Sequence, residues 1–202
     1  MVDLTERCVA HVELFKGRLL HAFRDDVELP DGTVGHREYI MHPGAVMIIP
    51  LVDRADGTQA VILERQFRYP VGETLIELPA GKRDPGEDSL ATAQRELREE
   101  TGFCATEWAF AGKLQPAVGY SNETIDVWFA RMLRAGKRKL DAGEFLEIFE
   151  ASPDELLTWC QSGRVIDSKT LVGALWLQNV LSGAWKVTWN RVPAGPHGWV
   201  TA

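Results

Sequence analysis

Apolar and polar positions change period several times along the chain, and each change marks an element. Between Arg7 and Met41 there are three β-like runs, Cys8 to Phe15, Arg18 to Leu29 and Val34 to Met41, broken by Lys16-Gly17 and by Pro30-Asp31-Gly32. They predict a small antiparallel meander. Two hairpins alone are marginally stable in water, so the meander needs a further surface in the same chain or in a second subunit, and a homodimer is expected. After His42-Pro43-Gly44 the run AVMIIPLV predicts a buried strand, Asp53 to Thr58 a turn and Ala60 to Phe67 the antiparallel return, with Leu75 to Leu78 a further short strand.

Between Asp88 and Thr101 there is no Gly or Pro, and Leu90, Ala93, Leu97 and Thr101 recur at helical spacing, which predicts a helix closed by Gly102. Glu107 to Leu114 and Thr124 to Leu133 predict strands joined by the loop QPAVGYSNE. Ser152 followed by Pro153 predicts a capped helix running to Gln161, and Asp167-Ser168 caps a final helix to about Leu181. The Trp- and Pro-containing stretch from Gly183 to Ala202 reads as a tail. Strands interleaved with helices predict a mixed α/β (α+β) chain with an N-terminal β-domain at 1–42, a main domain at 43–190 and a C-terminal tail at 191–202.

Composition removes several classes of function. With 202 residues, 45% of them hydrophobic and 25% charged, the chain has the make-up of a globular protein with one large core, and disordered, collagenous and coiled-coil readings are poor. Lys and Arg number 22 against 29 Asp and Glu, a net charge of -7, so the surface repels a phosphate backbone and no nucleic-acid partner is expected. The longest apolar stretch, Gly44 to Val52, is far short of the roughly 20 residues that span a bilayer, and Met1 to Glu6 is polar and acidic. A cytoplasmic protein without a membrane partner is expected. Cys8, Cys104 and Cys160 show no CxxC spacing and fit reduced thiols.

The chemistry lies between Gly81 and Phe103, GKRDPGEDSLATAQRELREETGF. On an α-helix Glu96, Glu99 and Glu100 fall within about 100° of one another, so one face carries a cluster of carboxylates. Like charges at that spacing repel unless a counter-charge sits between them. Oxygen-only ligands without His or Cys suit magnesium, with manganese as a substitute, rather than zinc. Arg95 beside this face can orient a glutamate through a bidentate pair. Three glutamates on a helix face are by themselves ordinary solvated surface, but the longer spacing is not. Glycine, five residues, Glu, seven residues, Arg-Glu-Leu, one residue, Glu-Glu, one residue, Gly-Phe matches the Nudix box at every defined position. From ordinary residue frequencies a chance match is on the order of one in ten million.

The chain therefore resembles the Nudix hydrolase family, which implies an α/β/α sandwich around a mixed sheet and cleavage of nucleoside diphosphates linked to another moiety. The resemblance implies Glu96 and Glu100 as principal magnesium ligands, Glu99 as ligand or helper, the backbone carbonyl of Ala80 completing the site, Glu87 and Arg95 supporting it, and Gly81 and Gly102 shaping its turns. HREYIMHPGAVMIIPL, ILERQFRYPVGETLIELPAGK, PAVGYSNE and IDSKTLVGALWLQ are similar to segments of the ADP-ribose pyrophosphatase subfamily. That narrower resemblance implies AMP and ribose 5-phosphate as products and a homodimer that exchanges its N-terminal β-domains. GDP-mannose hydrolysis and a non-catalytic nucleotide sensor are the alternatives. The subfamily's base is a glutamate on a mobile loop after a long strand. Here Glu144 and Glu147 in DAGEFLEIF both qualify, with Glu144 preferred because Ala142-Gly143 beside it suits a flexible loop. Arg37 and Arg68 match positions that contact the phosphates or terminal ribose, and Tyr69 or a Trp can stack on adenine. Gly119, Ser121 and Glu123 belong to the substrate loop, with Asn122 and Glu123 set either to contact the second sugar or to cap the next strand. This loop reads Ala117-Val118-Gly119, whereas the commonest subfamily form has proline directly before that glycine.

Overall fold

The computed structural model describes residues 2–192. They form two compact units, 2–44 with 115–124, and 45–114 with 125–192.

The first unit is an antiparallel sheet of β1 (Arg7–Lys16), β2 (His21–Glu28) and β3 (Val34–Ile40), in the order β1-β2-β3. Strand β2 lies between the other two and buries Phe23, Asp25 and Val27 on one face, whereas every residue of β1 is exposed. The loop 115–124 belongs to this unit and not to the main domain that the sequence assigns it to. The reason is hydrogen bonding. Ile40 donates its N–H to Tyr120 O at 2.8 Å, and His42 N–H donates to Asn122 Oδ1 at 2.7 Å.

The second unit is built on an eight-stranded mixed sheet. Its strands are β4 (Ala45–Asp53), β5 (Gln59–Arg68), β6 (Glu73–Glu77), β7 (Ala80–Lys82), β8 (Phe103–Leu114), β9 (Ile125–Ala135), β10 (Leu146–Ala151) and β11 (Asn190–Arg191). The path is β10-β5-β4-β9-β8-β11, with β6 paired to β5 and β7 to β4. Strand β4 runs parallel to β9 and is apolar from Ala45 to Val52 because both its faces are covered there. Met47, Ile49 and Leu51 join a core with Leu156 of α2 (Pro153–Gln161) and with Ala174 and Leu177 of α3 (Ser168–Leu181). Val46 and Ile48 point the other way, to Trp108 and to Ala93 and Leu97 around α1 (Ser89–Glu96). This is a layer of helix, a sheet, and a second layer of helices.

Pro50 sits inside that central strand, where its missing N–H would ordinarily break a ladder. Here one edge of β4 changes partner, from β7 up to Met47 to β5 from Leu51. Ile48 N–H on this edge donates to Pro79 O at 2.8 Å, and Pro50, two residues on, falls in the gap between the two partners.

Three differences from the sequence-based expectation matter. The helix predicted to Thr101 stops as an α-helix at Glu96 and continues as a π-helical turn, Leu97–Thr101, ended by Gly102 at φ +77. The strand predicted from Glu107 begins at Phe103, directly after that turn. Part of the predicted tail is packed: Val187 and Trp189 lie against the main core, and Asn190–Arg191 pair with β8 opposite Trp108 and Glu107. The rest of that tail, 193–202, lies outside the described residues.

Candidate active site

The box is one strand, one turn and one helix. Asp88 caps α1, accepting from Leu90 N–H at 2.9 Å and Ala91 N–H at 3.3 Å, and Gly86 turns the chain at φ +79 after Pro85. Trp128 of β9 donates to Ser89 Oγ at 2.9 Å and pins the start of the helix to the sheet. Gly81 on β7 is a glycine for a steric reason: a Cβ there would overlap the carboxylate of Glu96. Gly102 combines a left-handed φ with a close neighbour, Arg138 N, which would lie 3.2 Å from its Cβ.

Within this frame the carboxylates fall into two environments. Arg95 forms a bidentate pair with Glu87, Nε to Oε1 at 3.0 Å and Nη2 to Oε2 at 2.9 Å. It also reaches Glu96 at 2.8 Å, Glu99 at 3.2 Å and Lys82 O at 3.0 Å. Glu87 accepts further bonds from Thr92 Oγ1 at 2.8 Å and Asp84 N–H at 3.3 Å. The Arg95 guanidinium holds the Glu87 carboxyl down at about 2, against the upward push of burial.

Glu100 and Glu96 behave in the opposite way. Glu100 is only 3% exposed and accepts one bond from Ala80 N–H at 3.1 Å. Burial, then the charges of Glu64, Glu96 and Glu144, hold it well above the ordinary carboxylate range. Burial pushes Glu96 up to about 7, Arg95 pulls against it, and Glu99 and Glu144 add to the rise. A buried group of acids that repel one another fits a divalent cation, which would supply the missing positive charge. Among the described residues no three acids, His or Cys are already closed into a metal cage, and Glu96 and Glu99 are turned to Arg95.

The two candidate bases are separated by their surroundings. Glu147 lies opposite Arg65 in the β10–β5 ladder and pairs with it at 3.1 Å on the surface. Glu144 sits in the loop before β10, next to Gly143 at φ +88, and its charge raises the carboxyls of Glu64, Glu96 and Glu100. That loop is tied to the π-turn by Lys139 N–H to Glu99 O at 3.1 Å and Gly136 N–H to Gly102 O at 2.6 Å.

Arg68 donates through Nε and Nη2 to the buried Glu77 at 2.6 and 2.7 Å, and Lys169 of α3 also bonds Glu77. Burial alone would raise Glu77, yet Arg68 and Lys169 together hold it below its usual value. Tyr69 is 88% exposed. The other proposed substrate residues lie in the first unit. There Arg37 forms a two-pronged pair with Glu6, Ser121 Oγ accepts from Glu123 N–H at 3.1 Å, Glu123 lies 3.8 Å from His42 Nδ1, and Gly119 has open space where a Cβ would stand.

Sequence reasoning missed Glu64 and Glu77. Glu64 follows directly on the apolar run AVIL in the strand predicted as the antiparallel return, and an acid at the end of such a run is the signal that points to it.

The NUDIX domain pattern matches residues 41–170. An ADP-ribose pyrophosphatase of Bacillus subtilis is 36% identical over 180 residues, 88% of this chain and 95% of that protein. A methanol dehydrogenase activator of Bacillus methanolicus is 36% identical over 177 residues, 86% of this chain and 92% of that one. A solved ADP compounds hydrolase has the same fold, with a TM-score of 0.80 at 23% identity, over 90% of this chain and 97% of its own. Matches of this extent leave a single assignment, and the chain belongs to the NUDIX family.

Proposed function

We propose that the chain hydrolyses the diphosphate of ADP-ribose with magnesium, or manganese in its place, and releases AMP and ribose 5-phosphate. The observation that carries this reading is the buried, mutually repelling pair of Glu96 and Glu100, at positions inside the matched domain that the box resemblance implies as ligands. The 36% identity to an enzyme named for ADP-ribose, across nearly all of both chains, supports the substrate.

Bound at Glu96, Glu100, Glu99 and the Ala80 carbonyl, the metal supplies charge neutralisation of the diphosphate and a more acidic water. The chain's own side chains do the rest. Glu144 accepts the proton of the attacking water, whose oxygen bonds to phosphorus as the bridging P–O bond breaks and its electron pair leaves with the departing phosphate. Arg95 and Glu87 orient Glu96 and Glu99, while Gly81 and Gly102 leave room for the carboxylate and the turn. A guanidinium has five N–H donors, so Arg68 keeps several for phosphate after binding Glu77. Arg37, Tyr69, Gly119, Ser121 and Glu123 contact the nucleoside or the terminal sugar. The exposed strand β1, with Val9, Leu14 and Phe15 open on it, packs in a homodimer, which covers these apolar side chains.

The test is turnover of ADP-ribose beside GDP-mannose, ADP-glucose, NADH and diadenosine polyphosphates, with magnesium and with EDTA, resolving the products by chromatography. Magnesium-dependent AMP release, fastest from ADP-ribose, is expected. A far higher kcat/KM on GDP-mannose would overturn the substrate, and cleavage of none would favour a nucleotide sensor.

A further inference from the structure

Among the described residues, the two carboxylate oxygens of Glu64 are the buried side-chain oxygens that accept no hydrogen bond. Glu64 is 0% exposed, in the middle of β5, opposite Glu77 of β6 and Ile148 of β10. Buried acids are normally paired, and an orphaned one is unfavourable until it takes a proton or meets a cation. The nearby cations do not answer the need. Arg68 gives two donors to Glu77, and Lys169 is shared between Glu77 and Asp167. Glu77 is therefore satisfied and its neighbour on the adjacent strand is not.

The register leads from Glu64 to the box: Glu77 stands opposite it on β6, and three residues on Ala80 donates its N–H to Glu100. The charge of Glu64 is the foremost charge acting on Glu100, and Glu144 acts on both. A buried strand that carries an unpartnered acid beside a cluster of acids holds more acid than packing can explain, and such an arrangement is made favourable by protons on the carboxyls or by a ligand of high positive charge that displaces them.

We propose that Glu64 is an additional acidic ligand, supplied by β5 from outside the box, to the divalent-cation site of Glu96 and Glu100. The inference rests on the metal-site reading given above and extends it to a residue that the box does not contain. Glu64 then belongs to the binding machinery, and the fold carries it at a cost in stability that the cation removes.

The experiment measures Mn2+ binding to the full chain, without substrate, by electron paramagnetic resonance titration, and thermal unfolding in EDTA. It compares the wild type with Glu64→Gln, Glu64→Leu and Glu100→Gln. Both Glu64 variants are expected to bind Mn2+ at least about tenfold more weakly, the scale on which removing a metal's supporting partner acts. Glu64→Leu is expected to unfold at a higher temperature than the wild type in EDTA. Unchanged Mn2+ affinity in both Glu64 variants, with Glu100→Gln weakened, would overturn this inference and leave the metal site standing. A wild type that binds no Mn2+ would overturn both. If Glu64→Gln does not fold, Glu64→Leu decides alone, because it leaves no buried polar group behind.

Discussion

Glu87 and Glu100 belong to one strand-turn-helix and carry the same side chain, yet their surroundings are opposed. Glu87 receives bonds from Arg95, Thr92 and Asp84 and is held at about 2. Glu100 receives one bond from Ala80 and is held well above its usual value among other acids. A carboxylate that already accepts four hydrogen bonds has little left to offer a ligand, and its work is to position others. A buried carboxylate lacking partners is costly until something positive arrives. The contrast divides the box into a half that holds itself together and a half that waits for a ligand.

The hardest test of that division is to neutralise the waiting half. Glu100→Gln keeps the shape and removes a charge, and kcat is expected to fall about 10²-fold or more, the scale seen when a principal electrostatic element is lost. Glu144→Gln should lose a comparable factor, whereas Glu147→Gln should stay near wild type because its charge is spent on Arg65 at the surface. A larger loss in Glu147→Gln would transfer the role of base, and near-normal turnover in Glu100→Gln would end the metal assignment.

Neutralising the self-satisfied half should instead cost folding. Arg95→Met takes the shared guanidinium from Glu87, Glu96 and Glu99 at once and leaves Glu87 only Thr92 and Asp84. Urea unfolding in EDTA is expected to show a loss of about 2 kcal/mol, in the range for charged hydrogen bonds that are partly buried. No change in the midpoint would mean that Arg95 is only a surface charge.

Gly81→Ala sharpens the boundary between the halves. The new Cβ would strike the end of Glu96, which is the tip of a flexible side chain, so the fold should survive while the carboxylate is displaced. Stability is expected to change little and Mn2+ affinity to weaken about tenfold, as for loss of a ligand's support. Equal affinity would show that Glu96 binds metal from a position other than the one it holds against Arg95.

The sequence made the first half of this comparison plain and hid part of the second. The box, the caps at Asp88, Ser152 and Asp167, and the doubly buried strand AVMIIPLV are local patterns, each satisfied within a few residues of itself. The π-turn at Leu97–Thr101 leaves the apolar spacing intact and so shows no trace in periodicity. Strand β7 has three residues and β11 two, too short to carry an alternation, and each exists only because β4 or β8 offers a free edge. Glu64 and Glu77 need their tertiary neighbours to be understood: one is satisfied by Arg68 and Lys169, the other has no partner, and neither fact is written near them in the chain.

The gentlest expected effect is a change of slope with pH, and it follows from the same contrast. Glu87 has its folded value lowered to about 2 from 4.5, so its contribution is fully present above 4.5 and is lost as pH falls towards 2. Glu96 and Glu64 are raised to about 7 and about 8, so between 4.5 and those values the folded chain holds protons that the unfolded chain has released. Over that window these two acids make stability fall as pH rises, and above about 8 their penalty is constant. In EDTA the unfolding temperature is therefore expected to climb from acid towards pH 4.5, carried by Glu87, and then to decline towards pH 8. Saturating Mg2+ should flatten the declining limb, because the cation replaces the protons between the carboxylates, and should leave the acid limb unchanged, because Arg95 already stands where a cation would act on Glu87. A limb that declines equally with and without Mg2+ would mean that the raised acids are not the ones the cation meets, and the division of the box would have to be redrawn with Glu96 on the side of Glu87.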